Sequence, residues 1–140
     1  MRTLIFLTAD YANITQDKKL NVMGIFNQIW SKSFPAKHST FHVVIKLSLE
    51  LGEDPNRERV IEIKLINEDA TWERPLGPPR NFKFPEERIP GFTPEFNLIL
   101  GVRDMVFPEP GIYQFVVLVD GEQKGICTLM LVIIEAQSLE

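Results

Sequence analysis

The chain has a single cysteine and no long apolar run. Cys127 is alone, so an intrachain disulfide and a cysteine-based metal centre are both excluded. The longest apolar stretches, such as residues 129–134, are far shorter than the roughly 20 residues of a membrane span. The apolar run at the N-terminus stops at Asp10, too early for the core of a secretory signal. These shortages predict a soluble cytoplasmic protein that makes no membrane contact.

Positive charge and histidine are also scarce. Lys and Arg number 15 against 19 Asp and Glu, which gives a net charge of −4 and argues against a nucleic-acid partner. The two histidines, His38 and His42, have no acidic or cysteine ligand near them in sequence. Phosphate-binding loops, dinucleotide glycine motifs and nucleophile elbows are all missing. We therefore expect no metal, no cofactor and no enzymatic activity.

What the chain does contain is alternation of apolar and polar residues. From Phe41 to Glu50 every odd position is apolar, and residues 60–66 repeat the pattern. The polar stretch Gly52–Arg57 between them predicts a hairpin turn. Residues 112–119 and 126–134 are rich in β-branched side chains and flank the turn dipeptide Asp120-Gly121, which predicts a second hairpin.

Further strand candidates span residues 3–11, 20–30, 81–84 and 96–102, while residues 103–107 are compatible with one helical turn at most. The whole set predicts an all-β, immunoglobulin-like antiparallel β-sandwich of seven to nine strands with little helix. We expect one domain over residues 1–138, with residues 139–140 as a cloning remnant. The predicted core comprises Phe6, Phe26, Phe41, Val43, Ile45, Leu47, Ile61, Ile63, Leu65, Leu98, Leu100, Tyr113, Phe115, Val117, Leu129 and Leu131.

A proline-rich segment from Pro75 to Pro94 stands apart from these strands. It holds six of the ten prolines, which cannot donate to a strand ladder, so it is an edge or a loop. Aromatic side chains accompany it, which suggests that it folds back over an open edge of the sandwich and offers an interaction surface. These side chains are Trp72, Phe82, Phe84 and Phe92.

Asp10 and Tyr11 are a second candidate surface, at the predicted end of the first strand. Asp10 has two interpretations. It is either a carboxylate of a binding site or a turn residue that accepts backbone N–H bonds, and the second is the commoner role of aspartate.

Two resemblances follow from local motifs. Glu109–Phe115 resembles the corner that opens strand F of immunoglobulin-like domains, with Tyr113 at the tyrosine position and Phe115 in place of the disulfide cysteine. The segments Phe6–Ala12, which contains Asp-Tyr-Ala, and Lys19–Phe26 are similar to a bacterial family of small uncharacterised proteins. That resemblance implies a bacterial β-sandwich of unknown function and supplies no catalytic residues.

Three functions stay open. The first is a non-catalytic interaction module with a protein partner, in which unpaired sheet edges also offer a route to a homo-oligomer. The second is a small-ligand or carbohydrate site between the segment from Trp72 to Phe92 and one sheet. The third, an enzyme, requires Asp10, a histidine and Cys127 to converge in space.

Overall fold

A computed structural model describes residues 1–86 and 90–135. Within these residues the chain is all-β, and no helix long and apolar enough to cross a bilayer is present. The ten strands are β1 (Arg2–Ile14), β2 (Leu20–Phe26), β3 (Gln28–Ser31), β4 (Ala36–Ser48), β5 (Arg59–Asn67), β6 (Glu73–Pro75), β7 (Arg80–Phe82), β8 (Glu95–Phe107), β9 (Gly111–Val119) and β10 (Glu122–Ile133). The predicted boundary at residues 138–140 lies outside the described residues.

The strands form two sheets that pack face to face. One sheet has the order β2-β1-β4-β8, and the other has the order β3-β10-β9-β5-β6, with β7 also pairing with β5. All pairs are antiparallel except β3 and β10, which run parallel. The predicted immunoglobulin-like sandwich is confirmed.

The core lies between the inner faces of the two sheets. Rings from opposite sheets meet there, with the centroids of Phe41 and Phe115 6.1 Å apart. Thirteen of the sixteen predicted core residues are buried, and Phe6, Phe26 and Leu98 are partly buried against them. Alternation along β4, β5 and β9 therefore identified the inner faces correctly, because successive side chains of a strand point to opposite sides.

Two predicted turns are confirmed. Tyr113 Oη donates a 2.7 Å hydrogen bond to the Glu109 backbone oxygen and accepts one from the Glu109 N–H, so the tyrosine corner is present. Asp120 and Gly121, with φ of 52° and 79°, connect β9 to β10. Both residues adopt the left-handed conformation that such a two-residue hairpin turn requires.

The strand count and one segment need correction. The described residues form ten strands, against the predicted seven to nine or so, because residues 20–30 divide at Asn27 into β2 and β3, which belong to different sheets. The short strand β6 adds another. Residues 103–107 continue β8 and form no helical turn, because β4 pairs with β8 as far as Phe107.

The hairpin predicted around Gly52–Arg57 is also wrong. The strands on either side, β4 and β5, lie in opposite sheets, so this turn carries the chain across the sandwich. Both strands turn alternate side chains into the same core. A period of two is therefore equally compatible with pairing in one sheet and with packing across two.

Candidate functional site

One side of the sandwich exposes apolar side chains on its edge strands. This side, which we call the open flank, consists of β2 and β3, where the chain passes from one sheet to the other. Met23 and Ile25 of β2 are each 64% exposed, and Trp30 of β3 is 57% exposed. Tyr11, 49% exposed, lies directly opposite Met23 on the neighbouring strand β1. Large apolar side chains on strands are usually less exposed than these. The open flank is therefore a candidate interaction surface.

A cleft of about 250 Å³ opens on this flank, and we call it the β2–β3 cleft. The indole N–H of Trp30 donates a 3.2 Å hydrogen bond to Gln28 Oε1, and both residues line the opening. The rings of Phe26 and His38 lie 5.9 Å apart, and both pack near Phe41 of the core. The cleft is lined by Asp10, Phe26, Gln28, Ile29, Trp30 and His38.

Asp10 occupies this cleft because Gly24 leaves room for it. The ladder between β1 and β2 is interrupted at the position where Asp10 faces Gly24, and Gly24 has a φ of +70°. A Cβ at Gly24 would overlap the Asp10 carboxylate. Both the backbone angle and the space require glycine at this position.

The surroundings of Asp10 decide between its two interpretations. It lies inside β1, which continues to Ile14, and so not at the end of a strand. Within residues 1–86 and 90–135 its carboxylate has no hydrogen-bond donor and no cation beside it. Only its backbone oxygen is engaged, 3.1 Å from His42 Nδ1. The described contacts therefore contradict the turn-residue interpretation, since no backbone N–H reaches the carboxylate.

Two aromatic side chains of the proline-rich segment are buried, although an interaction surface was predicted there. Phe82 and Phe84 are 8% and 3% exposed, so they belong to the core and offer nothing to a partner. Phe82 stacks on Phe96 at 4.4 Å between ring centroids. Both rings fill the gap between β7 in one sheet and β8 in the other, where they contact Phe96. We call this side of the molecule the covered flank.

Two concavities formed by described residues lie beside this segment, and neither is lined by the four aromatic side chains. The smaller has about 10 Å³ of free space between side chains such as Leu76 and Leu98. A groove of about 300 Å³ does run between Pro75–Arg80 and β8, but Arg80 and Arg103 are its prominent polar side chains. Phe92 is 70% exposed in a loop.

Trp72 lies at a third concavity, next to the tyrosine corner. Its ring meets Tyr113 edge-on at 5.6 Å, and the Arg74 guanidinium lies 5.7 Å from its centroid. The polar groups around it bond to one another. Asp69 accepts a 2.7 Å bond from the Thr71 hydroxyl, and this bond holds the pKa of the Asp69 carboxyl below its usual range. The Asp69 carboxylate is thus bonded within its own turn, whereas the Asp10 carboxylate has no described partner.

Cys127, the nucleophile that the enzymatic interpretation requires, lies outside the β2–β3 cleft. Cys127 faces Phe115 on the inner side of the β9–β10 pair, and burial raises the pKa of its thiol to about 11. A thiol in such surroundings is protonated at neutral pH and is a poor nucleophile. Asp10 and His38 line the β2–β3 cleft together, but Cys127 does not.

The most exposed large apolar side chains on strands, Met23, Ile25 and Trp30, were not predicted from the sequence. Residues 20–30 were predicted as one strand, so the crossing at Asn27 and the exposure of Trp30 beyond it went unnoticed. A usable signal existed, because β2 contains no charged residue to mark a solvent-facing side. Arg59 was missed as well. It is buried on the covered flank, with its guanidinium 5.4 Å from the Phe84 ring.

Comparisons with solved structures give distant similarities. The chain is similar to part of a β-glucosidase from Listeria innocua in complex with glucose, with 12% identity, a TM-score of 0.46 and coverage of 77% of this chain and 15% of that one. It is also similar to part of the Pseudomonas fluorescens alkylpurine DNA glycosylase AlkC bound to DNA containing an abasic site analog. There the identity is 18%, the TM-score 0.40 and the coverage 75% of this chain and 27% of that one. The chain thus spans less than a third of either protein.

No curated protein matches the chain. A family model does match, over residues 4–132, and its description is "Family of unknown function (DUF6941)". The match extends from the first strand to the last and includes the open flank. The chain belongs to this family of unknown function.

Proposed function

We propose that this protein is a non-catalytic interaction module that binds another protein through the open flank. The observation that supports the proposal most strongly is the pair Met23 and Ile25, each 64% exposed on an edge strand. Tyr11 extends the same face, since it lies opposite Met23. Aromatic and methionine side chains are enriched at protein interfaces, and a cluster of them on an edge is typical of a docking surface.

The other edges of the two sheets support this choice by contrast. Natural sheets protect their edges with charge, proline or short length. Strand β8 carries Glu95, Arg103 and Asp104, and β6 has only the three residues Glu73–Pro75. Strand β2 has seven residues, none of them charged or proline. It therefore lacks the devices that protect the other edges.

The surroundings of the candidate nucleophile favour binding over catalysis. Cys127 is buried and does not line the β2–β3 cleft, where Asp10 and His38 lie. The bacterial origin and the cytoplasmic location stay predictions from the sequence, and the proposal includes both.

Site-specific photo-cross-linking in cells tests the proposal. A photoreactive phenylalanine analogue replaces Met23 in one variant and Leu51 in a matched control. Leu51 is 84% exposed but lies in a turn away from the open flank. We expect the probe at position 23 to give one recurrent protein adduct that the probe at position 51 does not give. A second copy of this chain in the adduct would identify the partner as the protein itself, through the edge pairing that the sequence left open.

A second variant shows whether the adduct depends on the surface. With the probe at position 23, Ile25→Thr should strongly reduce the adduct while the melting temperature stays unchanged. The proposal is wrong if position 23 yields no adduct, or if both probe positions yield the same proteins in equal amounts.

A further inference from the structure

We infer that the β2–β3 cleft receives a lysine or arginine side chain of the partner protein. The inference rests on the proposed function and adds the chemistry of the contact. The cleft combines a carboxylate, at Asp10, with an exposed indole ring, at Trp30. A carboxylate and the face of an aromatic ring both attract a cation.

The carboxylate is positioned for an external partner. Asp10 is exposed, and no lysine or arginine is among the residues that line the cleft. Its place in the strand depends on Gly24, whose φ of +70° interrupts a β ladder. The left-handed backbone that glycine adopts at this position leaves space for the carboxylate beside β2.

The aromatic side of the cleft has a hydrogen bond of its own before binding. Trp30 donates its indole N–H to Gln28 Oε1, and this exposed bond reduces the freedom that the ring would lose when a ligand packs against it. Tryptophan is the best of the aromatic rings for attracting a cation. Phe26 also lines the cleft and supplies an apolar surface for the methylene groups of a long basic side chain.

The size and charge of the cleft favour one basic side chain over a sugar. Its volume of about 250 Å³ is below the roughly 300–1,000 Å³ of pockets that hold drug-sized ligands. The net charge of −4 adds a general attraction for positive groups.

The test is an NMR titration of the ¹⁵N-labelled protein, which uses the indole N–H signal that disappears in Trp30→Phe as the reporter. The probes are N-acetyl-lysine methylamide, its arginine counterpart and, as an uncharged isostere, its norleucine counterpart. We expect saturable shifts with lysine and arginine and none with norleucine. Asp10→Asn should weaken binding by about two- to fivefold, which is the loss expected for one exposed ion pair. Added salt should weaken it as well.

Three outcomes would overturn the inference. They are equal shifts with lysine and norleucine, unchanged affinity in Asp10→Asn, and saturable shifts with maltotriose but not with the basic probes. Cross-linking separates this inference from the proposed function. If the adduct from position 23 keeps its yield in Asp10→Asn, the cation site is wrong and the interaction module is unaffected. The effect of Ile25→Thr on the adduct tests the interaction module alone.

Discussion

The two flanks of the sandwich meet the same physical problem in opposite ways. Each flank is a place where the edges of the two sheets approach and the core is close to solvent. On the covered flank, Phe82 and Phe84 pack against Phe96 and close the gap with aromatic rings. On the open flank, Trp30 stays in water and a cleft remains beside it.

The difference shows that exposure on the open flank is not forced by a shortage of apolar residues. The chain supplies a proline-rich segment to close one flank, and its rings end nearly fully buried. No described segment closes the other flank, although β2 and β3 carry equally apolar side chains. The predictions below test whether the covered flank serves stability and the open flank serves binding.

The largest effect is expected from the covered flank. Phe84→Ala removes a ring that is 3% exposed, and a buried Phe→Ala change typically costs about 3–5 kcal/mol of unfolding free energy. Ile25→Ala, on the open flank, should cost less than about 0.5 kcal/mol, because surface changes are usually that small. Urea unfolding of both variants measures the contrast. Similar losses at the two positions would remove the distinction between the flanks.

A smaller effect is expected at Gly24. Gly24→Ala should cost about 2 kcal/mol, because a residue with a Cβ is strained at a φ of +70° and its methyl group overlaps the Asp10 carboxylate. Asp10→Ala should recover roughly half of that loss in the double variant, since it removes the overlap and leaves the backbone strain. A double-mutant cycle of unfolding free energies measures the coupling. Additive losses would show that Asp10 does not depend on Gly24.

Cys127 reports whether the core between the flanks is sealed from water. Its pKa is raised from an ordinary 9.0 to about 11 by burial, so the folded protein holds the thiol proton more tightly than the unfolded chain. The protonated thiol therefore contributes to the free energy of unfolding. This contribution is constant below pH 9 and should decline by about 1.4 kcal/mol per pH unit between pH 9 and 11. Unfolding curves at pH 8 and pH 10 should therefore differ more for the parent than for Cys127→Ala. Equal differences would mean that water reaches the thiol.

The smallest effect is expected at the β2–β3 cleft itself. Asp10→Asn should change the unfolding free energy by less than about 0.5 kcal/mol, because the carboxylate has no described partner to lose. Thermal melts of the variant and the parent measure the change. A loss above about 1 kcal/mol would identify Asp10 as a structural residue.

The sequence predicted the interior of the fold better than its margins. Alternation placed Phe41, Ile63 and Phe115 on inner faces, because one buried face per strand leaves a period of two. The corner at Tyr113 was also predictable, since its geometry depends on a few neighbouring residues.

The candidate site was harder to predict, because it depends on contacts between distant segments. Alternation could not show that β4 and β5 belong to different sheets, nor that the chain crosses over at Asn27. Asp10 was named from its place in the sequence, but Trp30 and Gln28 join it only through that crossing. Phe82 and Phe84 look like surface residues in a proline-rich segment until the gap that they fill is known.

The parallel pairing of β3 with β10 has a consequence for how the protein is assembled. Gln28 and Trp30 are positioned by Met130 and Val132, near the far end of the described chain. Such contacts between distant segments form slowly and late in folding, because closing a long loop costs entropy before any contact is gained. A nascent chain in which β10 has not yet been made would therefore hold Asp10 but have no docked indole beside it. Recognition of a partner would then have to wait until β10 is synthesised and paired with β3.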